Sequence, residues 1–385
     1  MRTPLAWKNL TYDLRRLALA VGGVGFAVLL MCMELSFREA LFDSTLALIR
    51  KLDGDLIITS SAKYTLLVRE PFARRRLYQA LGCQGVAAAA GLDIETQLSL
   101  LKNLTTGEDQ PIRVLAFDPD DRVLKIPDVP RHLEQLRMPD TVLYDRKSKS
   151  SYGVLPPYDE PLELAKRKIT IVGEFELGTD FANDGNLIMS DVNYHKIFPQ
   201  RNAGPDGMAE VEVGVVKVEQ GADPLATRDR LRRLLPDDVT VFAKQEFEDQ
   251  EKHFWQTATP IGYIFWLGTM MGFVVGIVIC YQILYADIAD HMAEFATLKA
   301  MGYGSRYFIG VVLQEAVILS FLGFLPGVAV SGLLCQFVAR ATGLLVRVSP
   351  PTLASVLALS LGMCIASGCL AMRKLMSADP AELFR

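Results

Sequence analysis

The stretch Pro260-Ile-Gly-Tyr-Ile-Phe-Trp-Leu-Gly-Thr-Met-Met-Gly-Phe-Val-Val-Gly-Ile-Val-Ile-Cys-Tyr-Gln-Ile-Leu-Tyr-Ala286 runs directly into Asp287-Ile-Ala-Asp-His-Met-Ala-Glu-Phe-Ala-Thr-Leu-Lys-Ala-Met-Gly302. The first part carries no charge and exceeds the ~20 apolar residues that a spanning helix needs. In the second part Ile288, Met292, Phe295, Leu298 and Met301 recur at offsets near three and four, the rhythm of a helix with one apolar face. The junction reads as a spanning helix delivered onto a short amphipathic helix at the membrane surface. Such a pair can receive a push from a partner and pass it into the bilayer.

The rest of the chain extends this reading. Its 385 residues are 50% apolar, with a mean hydropathy of +0.23 concentrated in a few dense blocks. A net charge of -4 supplies no basic field for a phosphate backbone, so nucleic acid is not an expected partner. Five of the six cysteines lie in apolar blocks and only Cys83 lies in the polar middle, so no disulfide framework is implied. Cys364 and Cys369 share an apolar run and read as small packing residues.

Residues 1–16 place Arg2, Lys8, Arg15 and Arg16 around Leu5, Trp7, Leu10 and Leu14, a basic amphipathic segment for a membrane surface. Residues 17–34 form a first spanning helix; the Glu-Leu-Ser-Phe-Arg that follows offers no small-residue cleavage site. An apolar face continues through Leu35, Phe42, Leu46, Ile49 and Leu52, so this helix projects beyond the bilayer as a stalk. Residues 242–259 resemble a second stalk, with Thr259-Pro260 as N-cap and first-turn proline of the next span. Ordinary domain helices are the competing reading of both stalks.

Between the stalks, residues 55–241 alternate strand and helix signals and are expected to form an α+β domain of two lobes, which with its stalks spans 35–259. Strand patterns stand at 55–59, 112–117, 168–173, 186–190 and 211–218, and helical ones at 74–80, 192–198 and 224–235. The Pro- and charge-rich stretch 127–161 reads as a loop or inter-lobe region.

Residues 260–286 are the second span, 287–305 the surface helix and 306–339 the third span, which is long enough to tilt, kink at Pro326 or protrude. A loop at 340–351 leads to a fourth span at 352–372 and a tail at 373–385. Four spans return both termini to one side. Arg2, Lys8, Arg15, Arg16, Lys299, Arg306, Arg373, Lys374 and Arg385 gather there, against only Arg340 and Arg347 in the other short loop. The positive-inside rule makes that side cytoplasmic and the large domain extracytoplasmic.

The four histidines are scattered, and no zinc-hydrolase, nucleophile-elbow or phosphate-loop pattern is present. No catalytic residue, metal ligand or cofactor is assigned to the chain. The acidic turn at Asp118, Asp120 and Asp121 reads as solvated rather than as a metal site. Gly268, Gly272 and Gly276 share one helix face at a spacing that lets backbones approach closely, within a protomer or between protomers. Glu315 lies inside the third apolar run, where a carboxyl is costly and marks either interhelical structure or an ion path. Structure is the favoured role, through interfacial water or the N-terminal arginines.

One span, a large domain and three spans, in that order, resemble the MacB/FtsX-like superfamily of ABC-transporter permeases. The words carrying the resemblance are Glu294-Phe-Ala-Thr-Leu-Lys-Ala-Met-Gly302, Gln314-Glu-Ala-Val-Ile-Leu and Asp379-Pro-Ala-Glu-Leu. Asp140-Thr-Val-Leu-Tyr-Asp-Arg, Phe181-Ala-Asn-Asp-Gly-Asn-Leu-Ile, Lys244-Gln-Glu-Phe and Tyr281-Gln-Ile-Leu-Tyr-Ala-Asp-Ile-Ala-Asp-His further resemble the DevC-type permeases of cyanobacteria. The resemblance implies an inner-membrane homodimer with a periplasmic domain. Its expected partners are a cytoplasmic ABC ATPase that binds ATP and Mg, a periplasmic membrane-fusion adaptor, a TolC-like outer-membrane channel and membrane lipid. It also implies that Glu294, Phe295, Leu298, Lys299, Met301 and Gly302 form the ATPase contact. Relatives of this architecture export lipids or other hydrophobic substrates, or control periplasmic cell-wall enzymes, so a signalling scaffold is the alternative function. A membrane-anchored enzyme is a third possibility that no motif recommends.

Overall fold

The computed structural model describes residues 5–153, 160–201, 210–292, 297, 301, 303–342 and 346–376. Among these the chain divides into a membrane unit, drawn from Met1–Ala40, Pro260–Ala341 and Val346–Arg385, and an α/β domain, Leu41–Thr259 with Thr342–Leu345.

Four described helices are long and apolar enough to cross a membrane. They are Leu14–Thr45, Pro260–Asp290, Ser305–Thr342 and Pro350–Met376, here called spans 1 to 4. The N-terminal segment is a separate helix, Leu5–Tyr12. Asp13 divides it from span 1, and its carboxylate accepts from the backbone N–H groups of Arg15 (2.9 Å) and Arg16 (3.3 Å). That satisfies donors a helix start otherwise leaves open. Ser349 does the same for span 4, accepting from Thr352 N at 3.3 Å ahead of Pro350-Pro351. Span 2 continues through Asp287 to Asp290, residues expected to begin the surface helix, because nothing there interrupts the backbone ladder. Pro326 lies inside the span 3 helix. The unit's interior is an apolar cluster that includes Val24, Ala27, Met31, Leu284, Ala316, Leu319 and Met363.

The α/β domain is built on an 11-stranded sheet. In spatial order its strands are Val239–Ala243, Leu56–Ser60, Val213–Val218, Val86–Glu95, Arg113–Phe117, Asn186–Ser190, Thr141–Asp145, Arg167–Phe175, Pro161–Leu164, Leu100–Lys102 and Asp109–Pro111. Instead of separate lobes, two halves share one sheet through the strand Val86–Glu95. Val86 to Leu92 pair with Val213–Val218, while Asp93, Ile94 and Glu95 pair with Ala116, Leu115 and Val114. The stretch expected as an inter-lobe loop contains the strand Thr141–Asp145, buried at all five residues and paired in parallel with Arg167–Phe175. Its prolines and charges lie in the flanks, and composition averaged over the stretch conceals the strand. Helix Pro224–Leu234 starts as its Asp-Pro signal predicts, with the Asp223 carboxylate accepting from Leu225 N (3.0 Å) and Ala226 N (3.4 Å).

The helix Lys244–Thr257 is fastened to the domain by a buried carboxyl. Glu251 accepts from the Thr65 hydroxyl (2.7 Å), Leu66 N (3.0 Å) and the Trp255 indole (3.0 Å). Thr259 donates back to Trp255 O at 2.7 Å, at the C-terminal end of this helix.

An ionic cluster sits where the two halves of the sheet join. Lys63, wholly buried, lies 3.3 Å from Glu212, and Arg69 lies 3.2 Å from the same carboxyl. Arg74 pairs with Asp191 at 3.0 Å, and Arg201 with Glu95 at 2.6 Å. Asp93 is 2% exposed, and its Oδ2 has no hydrogen-bond partner among the described residues. Burial, reinforced by the Glu212 and Asp191 charges and opposed by Arg74 and Arg69, pushes Asp93 up from 3.8 to about 7. Because the folded value is the higher one, the stability this group contributes is present below its ordinary value and lost as pH rises through 7. Asp93→Asn is therefore expected to gain stability over the parent as pH rises from 5 to 8, by an amount of order 1 kcal/mol or more. Thermal unfolding of the full chain across that range checks this; parallel pH profiles for the two proteins contradict it.

Candidate functional site

Three sets of residues were singled out in the sequence: the glycine stripe of span 2, Glu315 and the residues expected to contact an ATPase. The structure brings the first two into one helix assembly.

Lipid tails give helices no hydrophobic reason to associate, so spans hold together by close contact and internal hydrogen bonds. Gly272 and Gly276 face span 1 within the protomer. A Cβ on Gly272 would stand 3.2 Å from Met31 Cγ, and one on Gly276 would stand 3.0 Å from Ala27 Cβ and run into Met363 Sδ of span 4. Gly268 serves differently: its missing side chain leaves room for the Glu34 carboxyl, which a Cβ would meet at 2.6 Å.

The tighter crossing joins span 1 to span 3. A Cβ on Gly25 would stand 3.3 Å from the Gly323 carbonyl oxygen, and one on Gly327 would stand 2.7 Å from the Gly25 carbonyl oxygen. Here backbone meets backbone, and neither side can swing away. Polar groups close the remaining contacts. Ser320 and Ser360 hydroxyls are 2.9 Å apart, and Ser367 donates to Ile277 O at 2.9 Å. Glu39 accepts from Ser349 (2.6 Å) and Thr352 (2.7 Å) at the start of span 4. Cys364 packs against Cys280 with the sulfurs 3.4 Å apart, whereas Cys369 is exposed.

Glu315 is fully buried. Its described partner is the Asn9 side-chain amide, which donates to Oε1 at 3.0 Å. The sequence pointed to N-terminal arginines, but Arg16 pairs at the surface with Asp290. Burying a guanidinium costs far more than burying an amide, so the charged group stays hydrated and the neutral one goes inside.

Of the expected ATPase contacts, Met301 is described and is 63% exposed. Glu294, Phe295, Leu298, Lys299 and Gly302 lie outside the described residues, as does the Asp379-Pro-Ala-Glu-Leu word.

Residues 264–380, from span 2 to the C-terminal tail, match the FtsX-like permease C-terminal family. The chain carries an FtsX-like permease domain. Over that stretch the match agrees with the resemblance to FtsX-like permeases and supports a membrane permease component of an ABC-type system. The glycine face of span 2, the Gly323–Gly327 crossing and Glu315 all fall inside the FtsX-like match. No curated protein sequence is significantly similar to the chain. Among solved structures, the periplasmic region of MacB from Actinobacillus actinomycetemcomitans aligns at a TM-score of 0.37 and 11% identity, covering 52% of this chain and 94% of that one. The extracellular domain of the noncanonic ABC-type transporter YknZ from Gram-positive bacteria aligns at 0.34 and 12%, covering 49% and 98%. Overlaps this loose carry no argument about this chain.

The glycine contacts lead to a graded expectation. Gly25→Leu and Gly327→Leu, each forced against backbone, should destabilise the FtsX-like membrane unit by roughly 1–3 kcal/mol or more. Gly332→Leu, with nothing within 4 Å of its added Cβ, should leave it unchanged. Thermal unfolding in detergent checks the ranking; equal stability of all three variants contradicts the crossing.

Proposed function

We propose that this chain is the permease of a tripartite ABC-type efflux system. In this reading it relays the ATP-driven motion of a separate cytoplasmic ATPase to its α/β domain, placed in the periplasm. A lipid or other hydrophobic substrate then leaves through an adaptor and a TolC-like outer-membrane channel. The chain acts as a homodimer in the inner membrane with both termini cytoplasmic. ATP and Mg belong to the partner, since no phosphate loop occurs in this sequence.

The observation that carries the reading is the FtsX-like match itself. It contains residues 287–302 and the spans on either side, the place where a cytoplasmic partner would deliver force. The apolar filling of the membrane unit supports a relay in preference to a polar channel, because the described interior is closed by packed side chains. The DevC-like words at 140–146, 181–188, 244–247 and 281–291 support the efflux form of the reading.

The test is co-purification of the tagged chain with its cognate ATPase. Phe295→Asp and Leu298→Asp should each lower recovery of the ATPase by roughly tenfold or more, equivalent to ~1.4 kcal/mol, with the permease still folded. Unchanged recovery in both variants sinks the coupling assignment. Reconstituted complexes that stimulate a cell-wall enzyme under ATP without exporting any lipid would replace export with signalling.

A further inference from the structure

The helix Leu5–Tyr12 requires its own attachment, because Asp13 ends it and starts span 1 afresh. It buries one face, Ala6, Asn9 and Leu10, at the three- and four-residue spacing of a helix stripe. Trp7 and Tyr12 remain exposed. Three contacts join this helix and the start of span 1 to spans 2 and 3. The Tyr12 ring lies edge-on to His291, with centroids 6.3 Å apart. Arg16 pairs with Asp290, but both side chains are about half exposed (58% and 49%), so hydration and salt weaken that pair. The third contact is the Asn9–Glu315 hydrogen bond, which is buried on both sides.

These contacts are unequal. A hydrogen bond to a buried carboxyl has no water to replace it, so losing Asn9 would leave Oε1 as bare as Oε2, which has no partner among the described residues. The packing of the spans runs through small and apolar residues, whereas the side-chain hydrogen bond of Glu315 among the described residues goes to the N-terminal helix. Its carboxyl is spent on the N-terminal helix.

We propose that Glu315 is a positioning residue for the N-terminal helix: through Asn9 it holds Leu5–Tyr12 against the ends of spans 2 and 3. The helix then moves with those two span ends and sets their spacing during the ATPase cycle. The docking stands on the geometry alone; its effect on coupling rests on the permease function proposed above.

A reciprocal exchange of donor and acceptor tests it. Glu315→Gln keeps a carbonyl for Asn9 to bond, so docking should persist. Asn9→Asp sets two carboxyls face to face and, at a pH high enough that the pair cannot share a proton, should release the helix. The double variant Asn9→Asp/Glu315→Gln restores one donor and one acceptor in reversed order and should dock it again. Hydrogen–deuterium exchange on the full chain in nanodiscs reads this directly. Amides of residues 5–12 should exchange about tenfold faster in Asn9→Asp than in the parent, with spans 1 to 4 unchanged, and return towards the parent rate in the double variant. Exchange in Asn9→Asp at the parent rate, or a double variant as fast as Asn9→Asp, overturns the docking.

In complex with the ATPase, Asn9→Asp should reduce permease-stimulated ATP hydrolysis while leaving ATPase affinity unchanged, and the double variant should recover it. The exchange pattern without any change in hydrolysis overturns the positioning role. Failure of every form, parent included, to bind an ATPase overturns the permease function and leaves the docking result standing.

Discussion

The membrane unit depends on how closely backbones can approach in a medium that does not push helices together. At the crossing of spans 1 and 3, a Cβ on Gly327 would stand 2.7 Å from the Gly25 carbonyl oxygen and one on Gly25 3.3 Å from that of Gly323. At Gly327 a larger residue requires one backbone to shift. Once span 1 is seated on span 3, the remaining contacts follow on its other faces, with Gly272 and Gly276 of span 2 against Met31 and Ala27. Interior packing of this density transmits displacement, because close-packed groups have little room to absorb it. A mechanical relay needs that property, and the proposed function draws on it.

The same constraint explains where the polar groups lie. Three carboxyls of the membrane unit have a definite place: Glu34 in the space left by Gly268, Glu39 under two hydroxyls, Glu315 against Asn9. In the α/β domain the buried charges are denser. They cluster around Val86–Glu95, the strand that both halves of the sheet share. Buried ion pairs contribute little net stability, but each specifies one arrangement and penalises others. A junction between two half-sheets is where such specification has most effect.

Much of this was legible in the sequence because it depends on local signals. Uncharged apolar runs gave the spans, β-branched clusters gave the strands Leu56–Ser60 and Asn186–Ser190, and Asp223-Pro224 gave a helix start. What was missed depends on partners distant in sequence. Val86–Glu95 begins Val-Ala-Ala-Ala-Ala-Gly, which favours helix locally and becomes a strand only through neighbours on both edges. Gly323 and Gly327 stand on either side of Pro326, and the residue that decides their contact, Gly25, lies on another helix. Asn9 could not be found by matching charges, since its value at Glu315 is that it carries none. Hydropathy thus identified the elements, while the identity of their contacts required the assembled structure.

The relay itself is tested most directly by pulsed electron paramagnetic resonance on the chain in nanodiscs with its ATPase. One spin label sits at exposed Lys149 of the α/β domain and one at exposed Tyr263 of span 2, in a background without native cysteines. If ATP-driven motion reaches the domain, the distance distribution between the labels shifts on nucleotide binding and returns after hydrolysis. Identical distributions through a cycle in which ATP is turned over would contradict the account.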